Sequence, residues 1–133
     1  MKFSNGNILI FLGIIHSLLA ISPAAFGTQF ASFADGFFFK ISDGLVEFPI
    51  LNGQMNYENF AAFCFFYFGL ILIPVGFLAG FVEKGHRQLP NRFLWSYLIV
   101  VLIGVFMIPL SGMTFLMFPH AIYMLYQNNK KIL

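Results

Sequence analysis

Residues 93–126, FLWSYLIVVLIGVFMIPLSGMTFLMFPHAIYMLY, decide the fold, because thirty-four consecutive positions pass without one Asp, Glu, Lys or Arg. As a single straight helix the stretch would run ~51 Å, against a bilayer hydrocarbon core of ~30 Å. It therefore has to cross twice, and Met107-Ile108-Pro109-Leu110-Ser111-Gly112 supplies the reversal. Pro109 removes a backbone donor and Gly112 permits a tight turn. The segment reads as a hairpin of two membrane helices, residues 93–108 and 113–126, with Pro109 and Gly112 at its tip.

Composition agrees. Of 133 residues, 59% are hydrophobic and 9% charged, a balance that cannot cover a water-facing surface. The length allows a single transmembrane domain, 1–133. A net charge of +2, with no basic run longer than Lys130-Lys131, argues against a nucleic-acid partner. The lone cysteine, Cys64, excludes an internal disulfide and a multi-cysteine metal cluster.

Upstream, an apolar run follows Lys2, and Pro23 should close a first helix over residues 5–22. A charged start, a short apolar region and Ser22-Pro23-Ala24-Ala25 also describe a cleavable signal peptide; the reading preferred here is a retained helix. Residues 23–57 form the long outer loop, acidic and rich in phenylalanine. Within it Phe30, Phe33, Ala34, Phe37 and Ile41 recur at helical spacing, which predicts a short amphipathic segment on the membrane surface. Residues 45–51 receive no regular element, and Asn52-Gly53 reads as a turn.

Residues 59–82 are a second charge-free span, ~36 Å as a helix and ample for one crossing. Gly69, Gly76 and Gly80 share one face, and Gly76 and Gly80 have the GxxxG spacing that admits close helix approach. Packing within the bundle is preferred over a dimer interface, as is Gly13 packing in the first helix. Residues 83–92 are a basic connector, and positive loops stay in the cytoplasm. Four passes then place Lys2, Lys84, Arg87, Arg92, Lys130 and Lys131 inside and only Lys40 outside. Asp35, Asp43, Glu47 and Glu58 lie outside and only Glu83 inside. Both termini should face the cytoplasm.

The hairpin helices would measure only ~24 and ~21 Å, so their tip should sit below the outer surface. Irregular backbone at that depth needs cover. The outer loop is the expected cover, with the Ser111 hydroxyl satisfying a freed backbone group.

Ionisable groups inside the spans are costly and point inward. His16, beside Ser17, and His120 fall near mid-depth, so the candidate polar site is His16, Ser17, Ser111 and His120. A neutral histidine hydrogen-bonded between helices is the simpler reading; a proton or ligand site is the sharper one. Met113, Met117, His120 and Met124 form one face whose atoms would suit Cu(I), but methionine stripes usually pack. No carboxylate pair, nucleophile elbow, phosphate loop or zinc signature is present. The expectation is no catalytic residues, no metal and no cofactor.

Gly13-Ile14-Ile15-His16-Ser17, the aromatic run 63–68 before Gly69 and Gly76, Leu89-Pro90, Trp95 and Pro109-Leu110-Ser111-Gly112 together carry a resemblance. Over nearly its whole length the chain resembles a family of small, functionally uncharacterised bacterial integral membrane proteins. The resemblance implies a four-helix transmembrane bundle in the inner membrane and supplies no activity. The functional expectation is a non-enzymatic accessory or interaction subunit, with the lipid bilayer and a membrane-protein partner or homo-oligomer around it. The alternative is a small transporter or channel using His16 and His120.

Overall fold

In the computed structural model, residues 4–37, 50–51, 54–55, 57–85 and 88–130 are described. They are helical almost throughout. The elements are α1 (Asn5–Ile21), α2 (Gly27–Phe37), a minimal hairpin of β1 (Ile50–Leu51) and β2 (Gln54–Met55), α3 (Tyr57–Lys84), α4 (Asn91–Met107), a π-helical turn (Met113–Met117) and α5 (Phe118–Lys130). The hairpin pairs Ile50 with Met55 and Leu51 with Gln54, antiparallel. That gives a two-residue strand to a stretch where the sequence suggested none. The outer segment at 38–49, like Asn52-Gly53 and His86, lies outside the described residues.

Among the described residues one helix, α3, is long and apolar enough to cross a membrane; α1 and α4 are apolar but only 17 residues each. Of the four spans expected from hydropathy, the described residues show this length and apolarity in one, α3. Helix ends follow local chemistry. Ser22 closes α1, its N–H donating to Leu19 O at 3.1 Å and its hydroxyl to the same carbonyl at 3.0 Å, just before Pro23. The Pro90 carbonyl opens α4 by accepting from Phe93 N at 2.9 Å and Leu94 N at 3.2 Å. Pro109 holds Ile108 at φ −139°, ψ 85°, outside the helical region.

The last helix departs from expectation. Instead of one α-helix from Met113, the chain begins with a π-helical turn and becomes α-helical only at Phe118. Pro119 is the physical reason: it has no N–H for the carbonyl four residues back, and its ring crowds that carbonyl. The preceding turn widens instead.

The chain divides into two compact units, Met1–Leu12 with Ile73–Leu133, and Gly13–Leu72. The first contains the start of α1, the end of α3, and all of α4, the π-turn and α5. Its interior is Leu9, Ala79, Leu94, Val101, Met117, Ala121 and Met124. Helix α1 meets α3 there through glycine. A Cβ on Gly76 would stand 2.7 Å from Gly6 O and 2.8 Å from Ile10 N, so only hydrogen fits. Gly80 is looser, its nearest neighbour being Gly6 Cα at 3.8 Å.

The second unit packs the later part of α1 on the earlier part of α3. Gly13, Ser17 and Ala20 are buried on one face of α1. A Cβ on Gly69 would meet Ser17 N at 2.8 Å and Gly13 O at 2.9 Å. Phe26 packs on Phe65 and Phe30 on Phe66, with ring centroids 5.0 and 4.8 Å apart, and Asn59 Nδ2 donates to Ser32 Oγ at 3.2 Å.

The hairpin tip in the first unit stands open. Leu110 is 85% exposed, Pro109 and Gly112 are exposed, and a Cβ on Gly112 would meet nothing within 4 Å. The segment expected to cover it belongs to the other unit, and its residues 38–49 lie outside the described ones. The Ser111 hydroxyl does not cap the turn: it has no partner among the described residues, and it is the Ser111 carbonyl that accepts from Thr114 N at 3.1 Å.

Candidate functional site

The polar residues singled out by sequence fall in both units. In the second, His16 stacks on Phe65, centroids 3.9 Å apart and planes at 25°, and meets the edge of Phe68 at 5.4 Å. Its Nε2 has no hydrogen-bond partner among the described residues. Ser17 Oγ donates to Phe66 O at 3.4 Å. Gly13 and Gly69 keep these two backbones close.

In the first unit His120 is 5% exposed and lies 3.2 Å, Nδ1 to Oη, from Tyr97. The tautomer decides which of the two donates. The rings also meet edge to face at 5.7 Å. His120 Nε2, Ser111 Oγ and Thr114 Oγ1 are buried atoms without a partner among the described residues. Met117 and Met124 on the same helical face are core residues. Among the described residues no group of three or more His, Cys, Asp or Glu could hold a metal ion.

The densest polar cluster was not among the sequence candidates. Glu83, expected in the connector, belongs to the last turn of α3. Its carboxylate receives the first turn of α1: Ser4 Oγ donates to Oε2 at 2.6 Å, Asn5 Nδ2 to Oε1 at 2.6 Å, and the Gly6 N–H to Oε2 at 3.2 Å. A carboxylate at a helix N-terminus accepts from otherwise unsatisfied N–H groups and favours the positive end of the helix dipole. Asn5, 3% exposed, reaches further, its Nδ2 also donating to Gln127 Oε1 at 3.2 Å. Gln127 Nε2 in turn donates to Tyr123 Oη, and Asn128 Nδ2 to Asn91 Oδ1 at 2.9 Å. Four elements, α1, α3, α4 and α5, are thereby linked at one end of the unit.

Two signals pointed there. Ser4-Asn5 are helix-capping residue types ahead of an apolar run, and Gln127-Asn128 follow the last apolar stretch at once. The pairing spans 78 residues in sequence between Asn5 and Glu83, which hydropathy does not register.

These features define a small helical protein with one helix of membrane-spanning length, glycine-mediated helix contacts and a buried polar cluster. The chain belongs to a family of unknown function (DUF6463), whose model matches residues 2–131. Neither a curated protein nor a solved structure matches it.

Proposed function

We propose that the chain is a four-pass integral membrane protein of the bacterial inner membrane, with both termini cytoplasmic, acting as a non-enzymatic accessory or interaction subunit. The supporting observation is an inverted distribution of polarity. Asn5, Ser17, Asn59, His120 and Asn128 are buried, while Phe11, Phe77, Leu78, Phe81, Phe106 and Leu110 are exposed, Phe106 by 86%. Water would drive the opposite arrangement, and exposed apolar area on this scale needs an apolar solvent or partner. Small residues at helix contacts, as at Gly6, Gly69 and Gly76, suit association in lipid.

A second reading, a small transporter or channel, draws support from the unpartnered Nε2 of His16 and of His120. Reconstitution separates the two. The accessory reading expects liposomes containing the purified protein alone to pass protons, ions and solutes no faster than empty vesicles. Flux above that background that His120→Leu abolishes would replace it with the transport reading.

A further inference from the structure

The first unit carries its charge in three short stretches of sequence: Lys2 ahead of α1, residues 83–92 around the connection from α3 to α4, and Lys130-Lys131 at the end of α5. Residues 3–12, 73–82 and 93–129 hold no Asp, Glu, Lys or Arg. Six basic residues against Glu83 alone leave a formal excess of five positive charges. An excess of that size survives whatever ion pair Glu83 forms.

The fold gathers these stretches at one place. Asn5 Nδ2 donates to Glu83 Oε1 at 2.6 Å and to Gln127 Oε1 at 3.2 Å, and Asn128 Nδ2 to Asn91 Oδ1 at 2.9 Å. The start of α1, the end of α3, the start of α4 and the end of α5 therefore meet, and Lys84, Arg92 and Lys130 stand exposed there. Amphipathic rings lie one helical turn further in. Trp95, 56% exposed, follows Arg92 by three positions on α4, a spacing that puts both on one face. Tyr126, 55% exposed, has the Lys130 Nζ 4.7 Å from its ring centroid. A cation one turn outside an exposed aromatic ring matches the layering of a membrane surface. Indole and phenol settle at headgroup depth, while guanidinium and ammonium reach outward to the phosphates. A water-borne anion would account for the charge but not for the rings beneath it.

We propose that this end of the first unit binds anionic phospholipid in preference to zwitterionic, with Arg92 and Lys130 on the headgroup phosphates and Trp95 and Tyr126 seated below them. A zwitterionic headgroup offers the same phosphate but brings its own ammonium, which the positive excess repels. Basic segments beside a membrane favour the anionic lipids of the cytoplasmic leaflet, the side expected for both termini. The inference rests on the membrane reading and is independent of the accessory role.

Trp95 is the one tryptophan of the chain, so its fluorescence samples the lipid at this end alone. The test places the full-length protein in vesicles of equal parts phosphatidylglycerol and phosphatidylcholine, with a nitroxide on the upper acyl chain of one lipid or the other. Labelled phosphatidylglycerol should quench Trp95 more, corresponding to a local enrichment of roughly fivefold, the effect of one cation at an anionic surface. Arg92→Gln combined with Lys130→Gln should bring the two quenching curves together. So should about 1 M salt on the unaltered protein, where the screening length is ~3 Å, and that arm stands even if the double variant misfolds. Lys40→Gln, outside this unit, should change nothing. Equal quenching by the two lipids in vesicles that retain the protein through an alkaline wash, or enrichment untouched by salt and by the double variant, overturns the proposal. Loss of the protein in that wash defeats the membrane reading and this inference with it.

Discussion

Gly76 presents its missing side chain to the carbonyl oxygen of Gly6: a Cβ there would lie 2.7 Å from that oxygen. Gly80, one turn on, has its nearest neighbour at 3.8 Å. Alanine at these positions should act in opposite directions. Gly76→Ala must push the backbones apart, an overpacking cost of about 1–3 kcal/mol. Gly80→Ala finds ordinary contact distance and, by removing a flexible residue from a helix, should be neutral or stabilising by about 0.5–1 kcal/mol. Denaturant unfolding in mixed micelles measures both; equal effects would contradict the packing described.

In the second unit Gly69 is the corresponding position, its Cβ site only 2.8 Å from Ser17 N. Gly69→Ala should destabilise by about 1–3 kcal/mol. Ser17→Ala removes only one long bond to Phe66 O, at 3.4 Å, and should cost about 1 kcal/mol or less. A larger loss from Ser17→Ala than from Gly69→Ala would show that the hydroxyl, and not backbone proximity, holds this contact.

Glu83 should be the strongest polar determinant of the first helix. Glu83→Ala strips acceptors from Ser4, Asn5 and Gly6, leaving the buried Asn5 amide bonded only to Gln127. A loss of about 2–3 kcal/mol follows from hydrogen bonds to a charged group. Hydrogen exchange should locate it: amides in the first turn of α1 should exchange faster, while those around Leu98 and Val101 in α4 change little. Uniform acceleration would mean global destabilisation instead.

Tyr97 and His120 form a pair whose worth a double-mutant cycle can isolate. Tyr97→Phe keeps the ring contact and removes the hydroxyl 3.2 Å from Nδ1, at an expected cost of about 1 kcal/mol. With His120→Leu already made, the same change should cost almost nothing. Additivity would indicate that the hydroxyl and imidazole do not interact.

Membrane topology has a direct chemical readout. In a Cys64→Ala background, Gln88→Cys should react with an impermeant maleimide only when the cytoplasmic side is accessible, and Leu110→Cys only from the opposite side. Cys64 itself is exposed at the protein surface, yet in lipid it should resist the same reagent until the membrane is dissolved. Labelling of positions 88 and 110 from one side would refute four crossings.

Helix limits were the most legible part of the chain. Spans read as 5–22, 59–82 and 93–108 compare with Asn5–Ile21, Tyr57–Lys84 and Asn91–Met107, because charge-free runs and prolines act locally. The π-helical turn was missed although Pro119 stands in plain view. Periodicity places the proline on a face but does not say that the strain is absorbed on its N-terminal side. Of the candidate polar residues, His16 and His120 drew notice for being ionisable within apolar runs. Asn5, Glu83 and Gln127 did not, because each looks like an ordinary polar boundary residue until three distant helix ends are brought together.

The Asn5–Glu83 bond also sets an order of events during synthesis. Its partners are 78 residues apart, and at ribosomal rates of about 5–20 residues per second the carboxylate emerges roughly 4–16 s after the amide. For that interval the first helix exists without its anchor, and its opening turn can be secured only once the long third helix is complete. The bond that secures the opening turn of α1 is thus set by residues synthesised well after it.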